Sequence, residues 1–394
     1  TAKPKDLGYS GVFFSFLSFF AIRAMIEPSP DERRHPMKRS HKLLAALWLL
    51  LAALSGGFYL LRPHKAAVDW VISHISAPLR EGLGAVTNLV PFSVAELFYT
   101  IVILAAVVLI VKSVQAVRRS PHKWKTLGIR LAALALIPAY IITGYNWLWA
   151  LGYYGTTFAE RSGLKNQGVS VEDLTKVTAY FAEQAGELSQ QMARDGEGHF
   201  IEEGFWQDCE GLYDNLEAEF PFLKTKALRP KPMLYSKFMS LIGFTGFYFP
   251  FTGEANVNAD FPPALQPETI SHELAHQRRV ASEAEANFVG IAAAISSDKP
   301  VYQYSAYLSG LTHLSNALYK ADREAWAAIS ATLTPEIRID WNDNSSYWAQ
   351  FESPVETVAT TVYDSYLKHN DQELGIKSYG ACVDLLVEYY KNKI

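Results

Sequence analysis

Along the first third of the chain, charge all but disappears from three long stretches and returns between them. Residues 43–61, 94–111 and 131–151 are apolar runs, the second broken by the single charge of Glu96. Each approaches the roughly 20 residues that cross a bilayer as a helix, so three transmembrane helices are expected there. Beyond residue 155 the pattern changes to helical periodicity with polar faces, over 171–192, 205–219, 301–319 and 355–367. The stretch 235–258 differs again. It is rich in aromatics and glycine and predicts strands and turns, with Pro250 at an edge because proline cannot donate to a ladder.

Basic residues orient the spans. Lys112, Arg118, Arg119, Lys123, Lys125 and Arg130 lie between the second and third, whereas only Arg62, Lys65 and Arg80 lie between the first and second. Cytoplasmic loops hold the excess of lysine and arginine. The basic loop is therefore expected inside, as is the N-terminus, because Lys38, Arg39 and Lys42 precede the first span. The chain is expected to be a multi-pass protein of the cytoplasmic (inner) membrane, in contact with the lipid bilayer and with its C-terminal part extracytoplasmic. Trp147, Trp149, Tyr153 and Tyr154 would anchor the third span at the outer interface.

Three regions follow from this reading. Residues 1–36 are expected to be a disordered extension or a translation-start artefact, because Met37-Lys38-Arg39 reads as a natural start. Residues 37–154 form the transmembrane region, and 155–394 an outer domain long enough for one globular unit. A net charge of −4 and the lack of a basic stripe on the outer part argue against nucleic acid. Cys209 and Cys382 both fall outside, where a disulfide is chemically permitted; two cysteines are too few for a cysteine zinc site.

The chemistry concentrates in His272-Glu273-Leu274-Ala275-His276, followed by Glu283. On a helix, His272 and His276 stand one turn apart on one face, so both rings can reach one zinc ion while Glu273 borders its open position. Were the helix to run straight on, Glu283 would lie roughly 10 Å further along the axis, too far for a shared ion at about 2 Å. A third ligand requires a break. Ser282 and Glu285 supply one as a capping box ahead of the apolar run 288–295, with Ser282 as N-cap and Glu285 reaching back to its amide. Glu283 is then free for the metal, and Asn287, one turn on, can hydrogen-bond a ligand histidine.

The chemistry implied is water-assisted amide hydrolysis, with Glu273 as the base and a peptide or protein as substrate. The expected fold class becomes mainly α with a small β-sheet, an α+β, zincin-like outer domain following a three-helix transmembrane region. An edge strand near the zinc helix could take an extended peptide by main-chain hydrogen bonds. Phe249, Phe251, Glu254, Asn256 and Asn258 are the substrate-binding candidates. Tyr302, Tyr304, Tyr307 and His313 are candidates for the oxyanion donor. Polar flanks on both sides of the motif exclude a site within a membrane span.

GFYFPFTGEANVN at 246–258, SHELAHQRR at 271–279 and EAEANF at 283–288, set behind three spans, resemble the bacterial membrane family catalogued as domain of unknown function 3810. The likeness runs from Met37 to the C-terminus. It implies a gluzincin-type zinc metallopeptidase with ligands His272, His276 and Glu283 and the base Glu273. Arg279 stands where that family often has glycine, which would ease the helix break. Asn287 stands where gluzincins carry aspartate, giving a weaker pull on the ligand histidine. Two other classes compete with a peptidase. One is a metal-binding, non-catalytic pseudoenzyme in envelope signalling; the other is a structural membrane protein with a coincidental motif.

Overall fold

The structure is a computed structural model that describes residues 36–165, 168–202, 204–370, 372 and 382–394. The extension expected over 1–36 lies, apart from Pro36, outside the described residues. The chain starts with α1 (Pro36–Leu61), α2 (Lys65–Val71), a π-helical turn (Ile72–Ser76), α3 (Ala77–Thr87), α4 (Val94–Arg119) and α5 (Lys123–Leu148). Three of these helices are long and apolar enough to cross a membrane: Ser40–Leu61 of α1, all of α4 and all of α5. They coincide with the expected spans. The third begins earlier and stops at Leu148, because the chain turns there into a 3-10 segment, Ala150–Tyr154.

Two compact units emerge, and neither follows the expected boundary at 154. One holds residues up to Pro63 and Phe98–Leu148; the other joins His64–Leu97 to Trp149–Ile394. Within the first, indole N–H groups of Trp48 and Trp147 donate to the carbonyls of Ala132 and Leu54, and the hydroxyls of Ser55 and Thr143 meet at 3.2 Å. Such bonds tie together helices whose surfaces are otherwise almost wholly apolar. Residues 64–97 carry no long apolar run, and their helices went unread in the sequence.

The second unit continues with α6 (Phe158–Ser162), α7 (Val171–Ser189), α8 (Asp214–Glu219), β1 (Lys231–Pro232), α9 (Ser236–Leu241), β2 (Gly246–Phe249) and β3 (Glu254–Val257). Then come α10 (Gln266–Gln277), α11 (Glu283–Ser296), α12 (Pro300–Ala321), α13 (Arg323–Thr332), α14 (Pro335–Ala349), α15 (Pro354–His369) and α16 (Cys382–Tyr390). The fold is mainly helical with one small sheet. The helix expected over 205–219 shrinks to α8, and the stretch 235–258 holds α9 as well as strands.

The core gathers apolar faces of α7, α11, α12 and α16 around Phe181, Phe288, Ile291, Leu308 and Leu386. The sheet has β3 at its centre, β1 parallel to it and β2 antiparallel, with Gly246 opposite Val257 and Phe249 opposite Glu254. β2 thus ends the strand order. Pro250, just past its last residue, takes up the turn and not the strand. Helix α10 packs against both β2 and β3, and every residue of α10 is buried.

Candidate metal centre

Helix α10 ends at Gln277 with Arg278 as its C-cap, because Arg279 takes the left-handed conformation at φ 75°. Its amide still bonds the His276 carbonyl at 3.0 Å, closing the last turn, and the guanidinium holds the carbonyls of Phe222 and Lys224. An L-residue adopts this backbone at a cost of about 1 kcal/mol or more, which glycine would avoid. The break inferred from the sequence is therefore present, at the position where glycine would ease it.

Ser282 is the N-cap of α11, with extended backbone, but its side chain makes no capping bond. The capping box fails because Glu285 has another task. Its two oxygens accept from the amides of Phe158 and Ala159, both at 2.9 Å, so it caps α6 and not its own helix. Burial raises its pKa, against the pull of those amides. Helix α11 then folds back on α10, and Gly290 permits the approach. A Cβ there would stand 2.9 Å from both the Cα and the N of His272, and the Gly290 carbonyl accepts from Ser271 Oγ at 2.8 Å.

This return brings three ligands together. One donor atom each from His272, His276 and Glu283 fall within 4.8 Å of one another, and all three residues are buried. Glu283 Oε2 lies 3.3 Å from His272 Nε2 and 3.5 Å from His276 Nε2. The histidine rings are perpendicular, their centroids 4.7 Å apart. His276 Nδ1 donates to the Val280 carbonyl at 2.7 Å, which fixes the tautomer and leaves the Nε2 lone pair for the ion. The Asn287 side chain lies close enough to His272 to favour its protonated form against burial, while Asn287 Nδ2 has no hydrogen-bond partner among the described residues. Two imidazoles and a carboxylate converging in this way could hold a metal ion, and the donor set suits zinc.

Several partners come from far along the chain. Tyr363 of α15 donates to Glu283 Oε1 at 2.6 Å, steering Oε2 toward the histidines. Trp149 sets its ring edge-on to His276 at 5.3 Å, and the buried Arg80 lies against Trp149 and Tyr248, 5.5 Å from each ring. None of these was readable from the motif, since nothing local marks a tyrosine 80 residues downstream as a ligand's partner.

Glu273 faces the sheet. A Cβ on Gly246 of β2 would stand 2.5 Å from Glu273 Oε1, so only glycine lets the edge strand pass over this carboxyl. Glu273 Oε2 is buried and has no hydrogen-bond partner among the described residues. Burial pushes the carboxyl up to about 8, opposed by His276. Burial lowers His272, whereas in His276 it is outweighed by Glu283, which raises that ring to about 9. Burial also opposes the Glu283 charge, but the two histidines hold it well below the usual carboxylate range.

The remaining candidates are placed elsewhere or tied up. Tyr302 donates to the Phe205 carbonyl, Tyr304 bonds Asp340, and Tyr307 meets Tyr180, so none of the three faces the ligands. His313 feels the charge of His272, and its pKa falls to about 4 mainly through burial. Of the strand residues, Glu254 accepts from the amides of Val94 and Ala95, Asn256 accepts from Ser93 Oγ, and Asn258 donates to Ser240 and the Phe244 carbonyl. Their polar atoms serve the fold. Phe249 is buried and Phe251 half-buried, with ring centroids 5.4 Å apart. Cys209 and Cys382 are not joined in a disulfide.

A family model described as protein of unknown function, DUF3810, matches residues 74–387, most of the chain and all of the metal centre. The chain belongs to the DUF3810 family. No curated protein and no solved structure matches it. For this DUF3810 chain, function therefore has to be argued from the site itself: a buried His272, His276 and Glu283 group beside Glu273 and the edge strand.

Proposed function

We propose that this DUF3810 chain is a membrane-anchored zinc-dependent metallopeptidase that hydrolyses peptide bonds outside the cytoplasmic membrane. The observation that carries the reading is the convergence of His272, His276 and Glu283 within 4.8 Å, with Glu273 on the same helix and against β2. Orientation rests on the basic loop Lys112 to Arg130, which is expected in the cytoplasm.

Zinc bound there would polarise the scissile carbonyl and acidify water. The chain's own residues do the rest. When an ion is bound, His276 would offer Nε2, since its Nδ1–H is hydrogen-bonded to the Val280 carbonyl, and Tyr363 holds Glu283 in its ligating orientation. Glu273 takes the proton of the attacking water at a carboxyl oxygen and hands it to the amide nitrogen, so that the C–O bond forms as the C–N bond breaks. Glu273, whose carboxyl is pushed up to about 8 by burial, releases its resting proton to solvent before it can serve as base, a loss that positive charge held at the ligands would favour. Strand β2, at the end of the sheet, would take an extended substrate by main-chain hydrogen bonds, with Phe249 and Phe251 near its end.

The test is hydrolysis of a peptide library by the full chain in nanodiscs. Activity that a chelator removes and zinc restores supports the reading. A chain that carries zinc but turns over no peptide would instead favour the non-catalytic alternative, which the burial of all four motif residues also suits.

A further inference from the structure

Two stretches of the second unit leave large apolar side chains in the open. Leu89 and Phe92 lie ahead of α4; Leu234 and Tyr235 lie in the turn before α9, and Phe238 and Leu241 lie within it. Leu89 is 83 % exposed, Leu234 82 % and Phe238 60 %. Phe238 and Leu241, three residues apart in α9, share one face of that helix, and Leu234 lies in the turn just ahead of it.

The two stretches are laced together. Lys231 Nζ donates to the Val90 carbonyl, and the Arg229 amide to Asn88 Oδ1 at 3.2 Å. The amides of Leu234 and Tyr235 donate to the two carboxylate oxygens of Glu96, at 3.1 and 2.6 Å. Glu96 sits in the first turn of α4, a helix fit to cross a membrane. The exposed apolar residues therefore surround the point where a span begins. Glu96, the one charge in that run, is buried and engaged in holding them there.

Exposed leucine and phenylalanine gathered in one patch mark an interaction surface. At the head of a span, the medium within reach is the lipid interface. The amides that would be costly to bring there already have their acceptor in Glu96. We propose that Leu89, Phe92 and the exposed face of α9 form a bilayer-contacting surface, seated in the interface of the membrane that α4 enters and additional to the three spans. This contact does not depend on catalysis. Combined with the hydrolytic reading, on which this clause rests, it names a substrate class. Five residues after Leu241 the chain reaches Gly246, against Glu273, so the substrates are polypeptides anchored in the same bilayer and cut close to where they leave it.

The contact is tested on the full chain in nanodiscs, with Cys209 and Cys382 replaced by alanine and an environment-sensitive fluorophore on Phe238→Cys. The lipids carry a nitroxide near the top of the acyl chain. Blue-shifted emission, quenched severalfold more than the same label on the exposed Glu172→Cys, is expected. Water-like emission with no more quenching than at 172 overturns the proposal. Leu89→Cys, on the other stretch, gives an independent reading should Phe238→Cys fail to fold. The substrate class is tested with Phe238→Asp, which should slow cleavage of a lipid-anchored peptide severalfold and spare the same peptide free in solution. Equal slowing of both overturns that class. Failure of the unmodified chain to cut either peptide overturns the hydrolytic reading instead, while the quenching result still decides the lipid contact.

Discussion

The three spans and the α10–α11 pair are both helical, yet they solve opposite problems. In the spans only 11 % of each apolar window is buried by protein, because their side chains face outward. In α10 every residue is buried, including His272, Glu273 and His276. A span asks only that side chains be apolar over a sufficient length. A buried polar helix asks for a named partner at each polar atom, because leaving one unpaired costs about 1–3 kcal/mol. The first demand is met locally. The second draws on residues outside α10: the carbonyls of Val280 and Gly290 accept from His276 and Ser271, and Tyr363 donates to the ligand Glu283, while Glu273 Oε2 has no partner among the described residues.

That contrast can be broken first at the ligands. Glu283→Ala should abolish stoichiometric zinc binding. It also leaves two buried histidines without their carboxylate, a loss of about 3–5 kcal/mol if the pair is charged. Metal analysis and thermal unfolding of the full chain read both effects, and unchanged zinc content would contradict the assignment.

Next comes a pair of equal substitutions in the two regions. Gly290→Ala puts a Cβ 2.9 Å from the His272 backbone, whereas Gly56→Ala in α1 meets nothing within 4 Å. The first should destabilise by about 1–3 kcal/mol and loosen zinc; the second should leave unfolding within about 0.5 kcal/mol of the parent. Equal effects would deny that close helix approach holds the site together.

Smaller again is Tyr363→Phe, which removes the donor to Glu283 Oε1 and keeps the ring against Phe244 at 5.3 Å. Zinc affinity should fall about 10–100-fold with little change in fold. Titrating zinc against a competing chelator measures it.

The mildest perturbation is pH. In the metal-free chain His276 keeps its proton up to about 9, so below that value a proton competes with zinc for Nε2. Apparent affinity should rise with pH by about tenfold per unit for one displaced proton, and level off above that pKa. A flat profile from neutral pH upward would mean that His276 is not a ligand.

How much of this was legible follows from the same contrast. The spans could be read from composition, and HExxH with Glu283 from spacing, because both are local patterns. The helix break was legible in its position but not in its cause. Ser282 does sit at the N-cap, yet the turn is made by Arg279 in a left-handed backbone, and Glu285 serves a helix more than a hundred residues earlier. Glu254, Asn256 and Asn258 looked available for substrate because a sequence shows side chains but not the distant groups they pair with: amides for Glu254, the Ser93 hydroxyl for Asn256 and the Phe244 carbonyl for Asn258. Tyr363, Trp149 and Arg80 carry no local signature at all. They reach the site, or the rings that line it, only through tertiary packing.

The most direct measurement compares the zinc-loaded full chain with its Glu273→Gln variant in peptide hydrolysis, zinc content being determined on the same samples. The variant should keep about one zinc per chain, since Glu273 is not a ligand, and lose turnover by at least about 100-fold, as expected for removal of a general base. Undiminished hydrolysis at equal zinc content would contradict the proposed chemistry at its centre.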